Sequence, residues 1–402
     1  MTVSPLDVRT PTRRPHGRYT YLATDILTGT VTAEVPMVGV SYGFELGWGC
    51  KQFRGTVPLF DRTLFPTDSA RRDVLLATRK WRSGLYVLRD GVVQWGGIIT
   101  SVLPDGQDSL GVTAQGMLAY FNRRLISDDL LYGSGAASSD AGVTWTQVGQ
   151  LVIAAALVDA AQSDPDGDVR VVVPTPDSRT PRDRTYNWFE AKPVGEAITD
   201  LSHVEGGFEF GFDAFRQGDG SPAVRLSLAA PTLGRTLDST GIVFDSPGNI
   251  ISPPDWSDPR VDVATHTVEI GQGDGVTGLR SLAVSTALLD AGYPRLDEPN
   301  GRADVSAQST LDAHAQADMA LASNTLPVPE VTTYATDPQL GTYTVGDQCR
   351  YRESSPVWPS LADGGAGLDV VCRIVAYQVT VPDDAGDESV RHTLNPVQAV
   401  IQ

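Results

Sequence analysis

The chain is 402 residues long and carries 31 Lys and Arg against 49 Asp and Glu, a net charge of −18 at neutral pH. That length excludes a single small core and leaves room for two to four domains, and the acidity argues against nucleic-acid binding by counterion release, because the chain repels phosphate. The 40 Gly and 27 Pro favour many turns and hence many short strands, and no apolar run approaches the ~20 residues that cross a bilayer.

Residues 1–17 are rich in Pro and Arg and read as an extended arm. No apolar stretch follows the basic start, so no signal peptide is expected. Tyr19 to Ala23 and Val31 to Val35 form a hairpin around Thr28-Gly29. Val38, Val40, Tyr42, Phe44 and Leu46 alternate, which predicts a strand with one buried face, and Gly47-Trp48-Gly49 breaks it. Phe53, Val57 and Leu59 continue the β pattern, with Pro58 at a strand end. Asp68 to Thr78 is a short helix capped by Thr67 or Asp68.

The stretch Gly84 to Ile126 reads as three strands and a helix. Leu85 to Arg89 runs into Asp90-Gly91, the two-residue signal of a hairpin whose turn needs positive φ at both positions. Val92 to Val102 returns, Pro104-Asp105-Gly106 turns again, and Leu110, Val112 and Ala114 alternate on a third strand. Met117, Leu118, Phe121 and Leu125 then fall at helical spacing, with Arg123 and Arg124 in the last turn, where cations complement the helix dipole. Residues 18–135 thus form one β-rich domain.

Tyr132 to Gly142 is a linker of small residues. Thr144 caps a helix with Val148, Leu151, Val152, Ala155 and Val158 on one face. Val169 to Val173 is a strand, Pro174 to Arg184 an exposed polar loop, and Val194 to Val204 a second helix stopped at Gly206. Phe208, Phe210 and Phe212 share a strand face, and Gly218-Asp219-Gly220 turns into Val224, Leu226 and Leu228. Residues 143–232 therefore read as an α+β domain. In residues 233–402, strands are expected at Ile242 to Phe244, Val261 to Ile270, Leu279 to Thr286, Thr342 to Tyr351, Val370 to Val381 and Val390 to Leu394. A helix is expected over Asp304 to Leu321, with Leu311, Ala315 and Met319 in register.

The order "strand, Asp90-Gly91, strand with Trp95-Gly96-Gly97, strand, helix with Tyr120-Phe121 and Arg123-Arg124" resembles the N-terminal part of minor tail proteins of long-tailed siphophages, the tail-tip or baseplate hub family. The stretch Ile198 to Phe212, the helix with Leu311-Asp-Ala-His-Ala315, and Tyr343-Thr-Val-Gly-Asp347 followed by Arg373-Ile-Val-Ala-Tyr377 are similar to that family too. The likeness runs from about residue 19 to 380; the acidic insert Asp383 to Glu388 and the Pro174 to Arg184 loop depart from it. The resemblance implies a β-rich α+β chain with two β-barrel-like hub domains and an intervening α+β domain. It implies a structural role: a homotrimer at the tail tip of the virion, whose first and last β domains alternate around a pseudo-sixfold ring. The implied partners are the distal tail protein, the tape-measure protein and host-binding or receptor-binding tip proteins. An acidic lumen would let DNA pass without specific binding. The Arg-for-Lys bias, with only Lys51, Lys80 and Lys192 as Lys, fits a GC-rich genome. The alternatives are a tail-associated cell-wall hydrolase and a receptor- or carbohydrate-binding tip protein.

The residues themselves supply few reactive constellations. Gly39-Val40-Ser41-Tyr42-Gly43 matches the nucleophile elbow, but that motif needs a strained strand-to-helix turn, and here it lies inside an alternating strand. Gly273-Asp-Gly275-Val-Thr-Gly278 matches a dinucleotide loop but lacks a following helix, and Asp274 would face the phosphates. Asp164, Asp166 and Asp168 are spaced like the start of a calcium loop, yet Val169 and Thr175 stand where Gly and Glu are needed. His16, His203, His266, His314 and His392 show no metal-ligand spacing. Trp48, Trp95, Trp188, Trp256 and Trp358 have the shape to line a sugar site, although core or interface packing is the commoner fate. Cys50, Cys349 and Cys372 are too few for a disulfide framework; Cys349 and Cys372 suit adjacent strands as buried thiols. No catalytic, cofactor-binding or metal residue is assigned, and no enzyme activity or cofactor is expected.

Overall fold

The computed structural model describes residues 17–106, 108–126, 136–139, 142–163, 166–177, 180–204, 206–256, 263–303, 305–323, 329–359, 367–383 and 386–397. Residues 1–16 of the expected N-terminal arm, most of the Tyr132 to Gly142 linker and Asp164 and Pro165 of the calcium-like loop lie outside these residues. The fold is α+β and β-rich, with 43% strand against 19% helix, and its strands form no closed barrel among the described residues.

The first part follows the alternating pattern closely. Strands β1 (Tyr19–Asp25), β2 (Val31–Glu34), β3 (Val38–Glu45) and β4 (Gly49–Val57) precede helix α1 (Asp68–Ala77). Thr67 caps α1 by accepting from the Ala70 amide at 3.1 Å. Strands β5 (Ser83–Arg89), β6 (Val92–Asp105) and β7 (Ser109–Gln115) form the meander, and Asp90 and Gly91 have φ of 51° and 78° as the hairpin turn requires. The Trp95-Gly96-Gly97 motif has a steric cause. A Cβ on Gly97 would lie 2.1 Å from the Gln115 carbonyl oxygen, and one on Gly96 would strike the Tyr86 ring at 2.6 Å. Strand β6 is a wall between two cores: Trp95 and Ile99 enter one, Ile98 the other. A strand buried on both faces reads as a continuous apolar run, which is why Val92 to Val102 does not alternate cleanly.

Helix α2 (Leu118–Phe121) is shorter than its spacing predicts. Met117, Leu118 and Phe121 are buried, but Leu125 is exposed, because the chain leaves the helix after Asn122 to bond with the segment around Pro193. Arg123 and Arg124 therefore do not cap a helix end. Arg123 stacks 4.7 Å over Trp81, and Arg124 donates to the Ala161 carbonyl at 3.2 Å.

The middle of the chain contains β8 (Ala136–Ser139), β9 (Gly142–Gly149), α3 (Gln150–Ala161), β10 (Val171–Val172), β11 (Pro181–Asn187), α4 (Val194–Ser202), β12 (Glu209–Arg216) and β13 (Pro222–Ala229). Thr144 lies in a strand and does not cap a helix: Val143 and Trp145 point inward at period two, and α3 starts only after Gly149. Pro181 to Arg184, expected in an exposed loop, belong to β11, which pairs with β9. Helix α3 is buried over most of its circumference: Asp159 is exposed, and Val152 and Ala156 are half-buried on the same i, i+4, i+7 stripe, so Val152 does not join the inward face. Phe208, Phe210 and Phe212 are all buried, as their alternation predicts.

The last part contains α5 (Leu237–Thr240), β14 (Val243–Ser246), β15 (His266–Ile270), β16 (Arg280–Val284), α6 (Thr286–Asp290), β17 (Asp297–Gly301), α7 (Gln308–Ala322), β18 (Glu330–Tyr334), β19 (Gln348–Glu353), β20 (Leu368–Thr380) and β21 (Ser389–Pro396). The expected strand Leu279 to Thr286 ends at Val284, where Ser285 caps α6 by accepting from the Leu288 amide. Strands β16, β15 and β17 form a separate three-stranded sheet covered by α7, with Leu311, Ala315 and Met319 buried as their spacing predicts. The sequence reading did not separate this unit from the strands around it.

The strands of residues 19–115 do not stand apart from β14, β19 and β20. They run as one sheet in the order β14-β19-β20-β3-β4-β7-β6-β5-β1-β2. The long strand β20 makes the join: its first half pairs with β19, its second half with β3, and β21 runs along its other edge. One hydrophobic cluster spans both parts, from Tyr21 and Trp95 to Tyr377 and Leu394. A second cluster joins Ile98, Met117, Leu118 and Phe121 of the first part to Trp145, Leu157, Ile198 and Phe212 of the middle.

Candidate assembly interface

The structure disperses the reactive-looking motifs. Ser41 sits in the middle of β3, whose backbone pairs with both β4 and β20, so no strand-to-helix turn lifts it. The Gly273 to Gly278 loop leads through a single turn into β16 rather than into a helix. No group of three or more His, Cys, Asp or Glu is placed to hold a metal among the described residues. Trp95 is a core residue whose Nε1 donates to the Gly43 carbonyl at 3.2 Å. Trp48 and Trp188 pack against the middle core, and Trp256 and Trp358 pack 6.4 Å apart beside the other. The three cysteines are buried and free, with Cys349 directly opposite Cys372 on β19 and β20.

What the structure does concentrate is ion pairs at the joints between its parts. Glu388, only 3% exposed, lies just before β21. Its carboxylate accepts from Arg89 Nε at 3.0 Å, from Arg89 Nη2 at 2.9 Å, and from the Tyr19 hydroxyl. Tyr19 and Tyr42 stand with their hydroxyls 3.2 Å apart. Burial first, then the Tyr42 and Glu388 charges, push the Tyr19 phenol well above its ordinary range. Asp383 accepts from the Gly39 amide at 2.5 Å. Asp383 and Glu388, at the two ends of the acidic insert, thus clasp the first strands from β20 and β21.

A second joint ties the middle of the chain to the last strands. Arg373 on β20 makes a two-pronged contact with Glu209 on β12, 2.7 Å at each prong, and donates to the Leu233 and Gly346 carbonyls. Such forked pairs fix geometry as well as charge. In a third joint, fully buried Asp347 accepts from the Arg235 amide at 2.8 Å, from its guanidinium, and from the Thr344 amide at 3.1 Å. In the small α/β unit, buried Glu269 and Asp318 share Arg302 and Asn300 beneath α7, and burial raises the Glu269 carboxyl. A cleft of about 350 Å³ opens where the first and middle parts meet, lined by residues that include Asp25, Trp81, Ile98, Tyr120 and Asp166.

No protein-family profile and no curated protein matches the sequence. Among solved structures, the 43 kDa tail protein of prophage MuSo2 from Shewanella oneidensis aligns over 94% of this chain and 99% of its own, at 12% identity and a TM-score of 0.56. The chain has a phage tail-protein fold. A tail protein from Neisseria meningitidis MC58 (12% identity, 94% and 96% covered, TM-score 0.49) and prophage tail protein gp18 from Listeria monocytogenes EGD-e (11%, 94% and 95%, 0.49) are also similar.

Within this tail-protein fold two of the motifs that carry the family resemblance fall on the joints. Asp347 of the Tyr343 to Asp347 motif anchors Arg235, and Arg373 and Tyr377 of the next motif bind Glu209 and stack on Phe44 at 4.5 Å. Sequence reading missed Arg89, Glu209, Arg235 and Glu388, whose partners lie 112 to 299 residues away. No local spacing signals such pairs. The one usable hint is a charged residue at a strand terminus in an otherwise apolar stretch, as at Glu209 and Arg89.

Proposed function

We propose that this chain is the structural hub of a siphophage tail tip: three copies close into a ring that joins the tail tube and distal tail ring to the host-binding tip proteins. The observation that carries this reading is the end-to-end alignment with a complete prophage tail protein, over 94% of this chain and 99% of that one. Residues 18–135 and 233–402 act as its two hub modules and residues 143–232 as a bracket beside them, held by the Arg373–Glu209 joint. The edge-to-edge seam of β3 and β20 sets the two modules side by side, the arrangement a threefold ring needs to present six similar units to a tube. The tape-measure protein is the partner at the lumen, and DNA passes an acidic wall without specific binding. The role is structural rather than enzymatic.

The test is sedimentation velocity on the purified full chain together with cryo-electron microscopy of virions. A trimer at the tail tip supports the reading. A chain that stays monomeric at every concentration and is missing from virions rejects it.

A further inference from the structure

Helix α1 turns only a narrow stripe inward: Val74 and Ala77 are buried, with Ala70 half-buried. Its opposite side presents Arg72, Leu75 and Leu76, which share a face because they are spaced i, i+3 and i+4, and Arg79 follows two residues past the helix end. Leu75 and Leu76 are 44% and 48% exposed. The loop before the helix adds exposed Phe60 and Leu64, and Arg71 holds that loop against α1 by donating from Nε to the Leu59 carbonyl at 3.0 Å. Arg72, Arg79 and Lys80 are exposed and have no carboxylate within ion-pair distance among the described residues.

The charge here is the reverse of the rest of the molecule. From Arg62 to Arg82 the chain carries six cations and two carboxylates, whereas the whole chain has a net charge of −18. An apolar centre with a cationic rim has the anatomy of a protein interface, and aromatic or leucine side chains at its centre are of no use against a phosphate backbone. Two copies of a chain at −18 repel unless a basic region of one meets the acidic surface of the other. We propose that the outward face of α1, with the Phe60 to Leu64 loop, is the surface by which one copy of this chain docks on the acidic surface of the next. The contact is heterologous, as a closed ring requires, so the inference rests on the ring reading above and names the face that builds it.

The experiment uses the full chain and two double variants, Leu75→Asp/Leu76→Asp and Arg72→Glu/Arg79→Glu. All four positions are exposed, so circular dichroism and the melting temperature should match the wild type; the charge variant keeps the apolar centre and serves if the leucine variant fails to fold. In sedimentation velocity across a concentration series, each variant should raise the dissociation constant at least about 30-fold, the scale of losing a central hot spot. Wild-type association should also weaken at high salt. A wild type that associates while both folded variants associate equally well overturns this surface and leaves the ring standing. A wild type that never associates overturns this surface, and together with absence from virions it rejects the ring itself. Retardation of duplex DNA by the wild type, lost in the charge variant with association unchanged, would assign the face to phosphate and overturn the proposal.

Discussion

The clasp between Glu388 and Arg89 offers a quantitative test of how the first and last parts of the chain are held together. Glu388 is 3% exposed and Arg89 12%, and three hydrogen bonds from the guanidinium, at 2.9 to 3.1 Å, meet one carboxylate that the Tyr19 hydroxyl also reaches. Removing either partner alone leaves the other charge buried without compensation, which costs about 3–5 kcal/mol. Glu388→Leu and Arg89→Met should each lose that much, a fall in melting temperature of roughly 6–20 °C for a unit of this size. Replacing both at once with apolar residues of similar volume, Arg89→Met/Glu388→Leu, removes the desolvation cost together with the attraction. That double variant should lie closer to the wild type than either single one, with a coupling energy of about 3 kcal/mol in the cycle. Scanning calorimetry on the four proteins reads all the terms. If the double variant loses as much as the two single variants together, or if Glu388→Gln melts within about 1 °C of the wild type, the clasp does not hold the seam as argued.

Three further outcomes follow from individual sites. His392 is fully buried between Tyr343, Tyr377 and Phe244, its Nε2 lies 2.8 Å from the Tyr343 hydroxyl, and burial holds its imidazole down at about 3 against an ordinary 6.5. The unfolded chain therefore takes up a proton below pH 6.5 that the folded chain refuses, so this stability is complete above 6.5 and is lost as pH falls towards 3. His392→Gln should flatten the stability–pH slope over that window by about 1.4 kcal/mol per pH unit, measured by urea titration; an unchanged slope would sink the assignment. Gly97→Ala should destabilise by about 2–3 kcal/mol, because its Cβ would enter the backbone of β7 and the strands must part. Gly111→Ala, whose nearest contact is an ordinary 3.6 Å, is the matched control and should melt like the wild type. Burial pushes the Cys50 and Cys372 thiols up to about 12 and the Cys349 thiol well above its usual range. A disulfide-exchange reagent should find all three silent in the folded protein at pH 8 and reactive in denaturant, and fast labelling of any one would contradict its burial.

Much of the fold is legible in the residues because the local rules are short-range. Alternation of Val40, Tyr42 and Phe44, positive φ at Asp90-Gly91, and the Thr67 cap are all decided within a few residues, and all recur in the structure. The two glycines after Trp95 announce a close approach without saying what approaches; only the fold shows that the Gln115 carbonyl and the Tyr86 ring do. Where local and tertiary forces compete, the tertiary ones win. Leu125 falls at helical spacing, yet the chain turns away to pair near Pro193, and Val143 and Trp145 are drawn into a strand because β11 lies beside them.

By itself the sequence determined the strand-rich class, the turns, most apolar faces and the surplus of negative charge, since each depends on neighbours along the chain. Tertiary structure alone decided that β20 joins β3, so that the first and last parts share a core, and that Glu388 finds Arg89 across 299 residues. Pairing of this kind is settled by which edges and buried charges come together once the chain is compact. A residue's spacing to its neighbours carries no record of it.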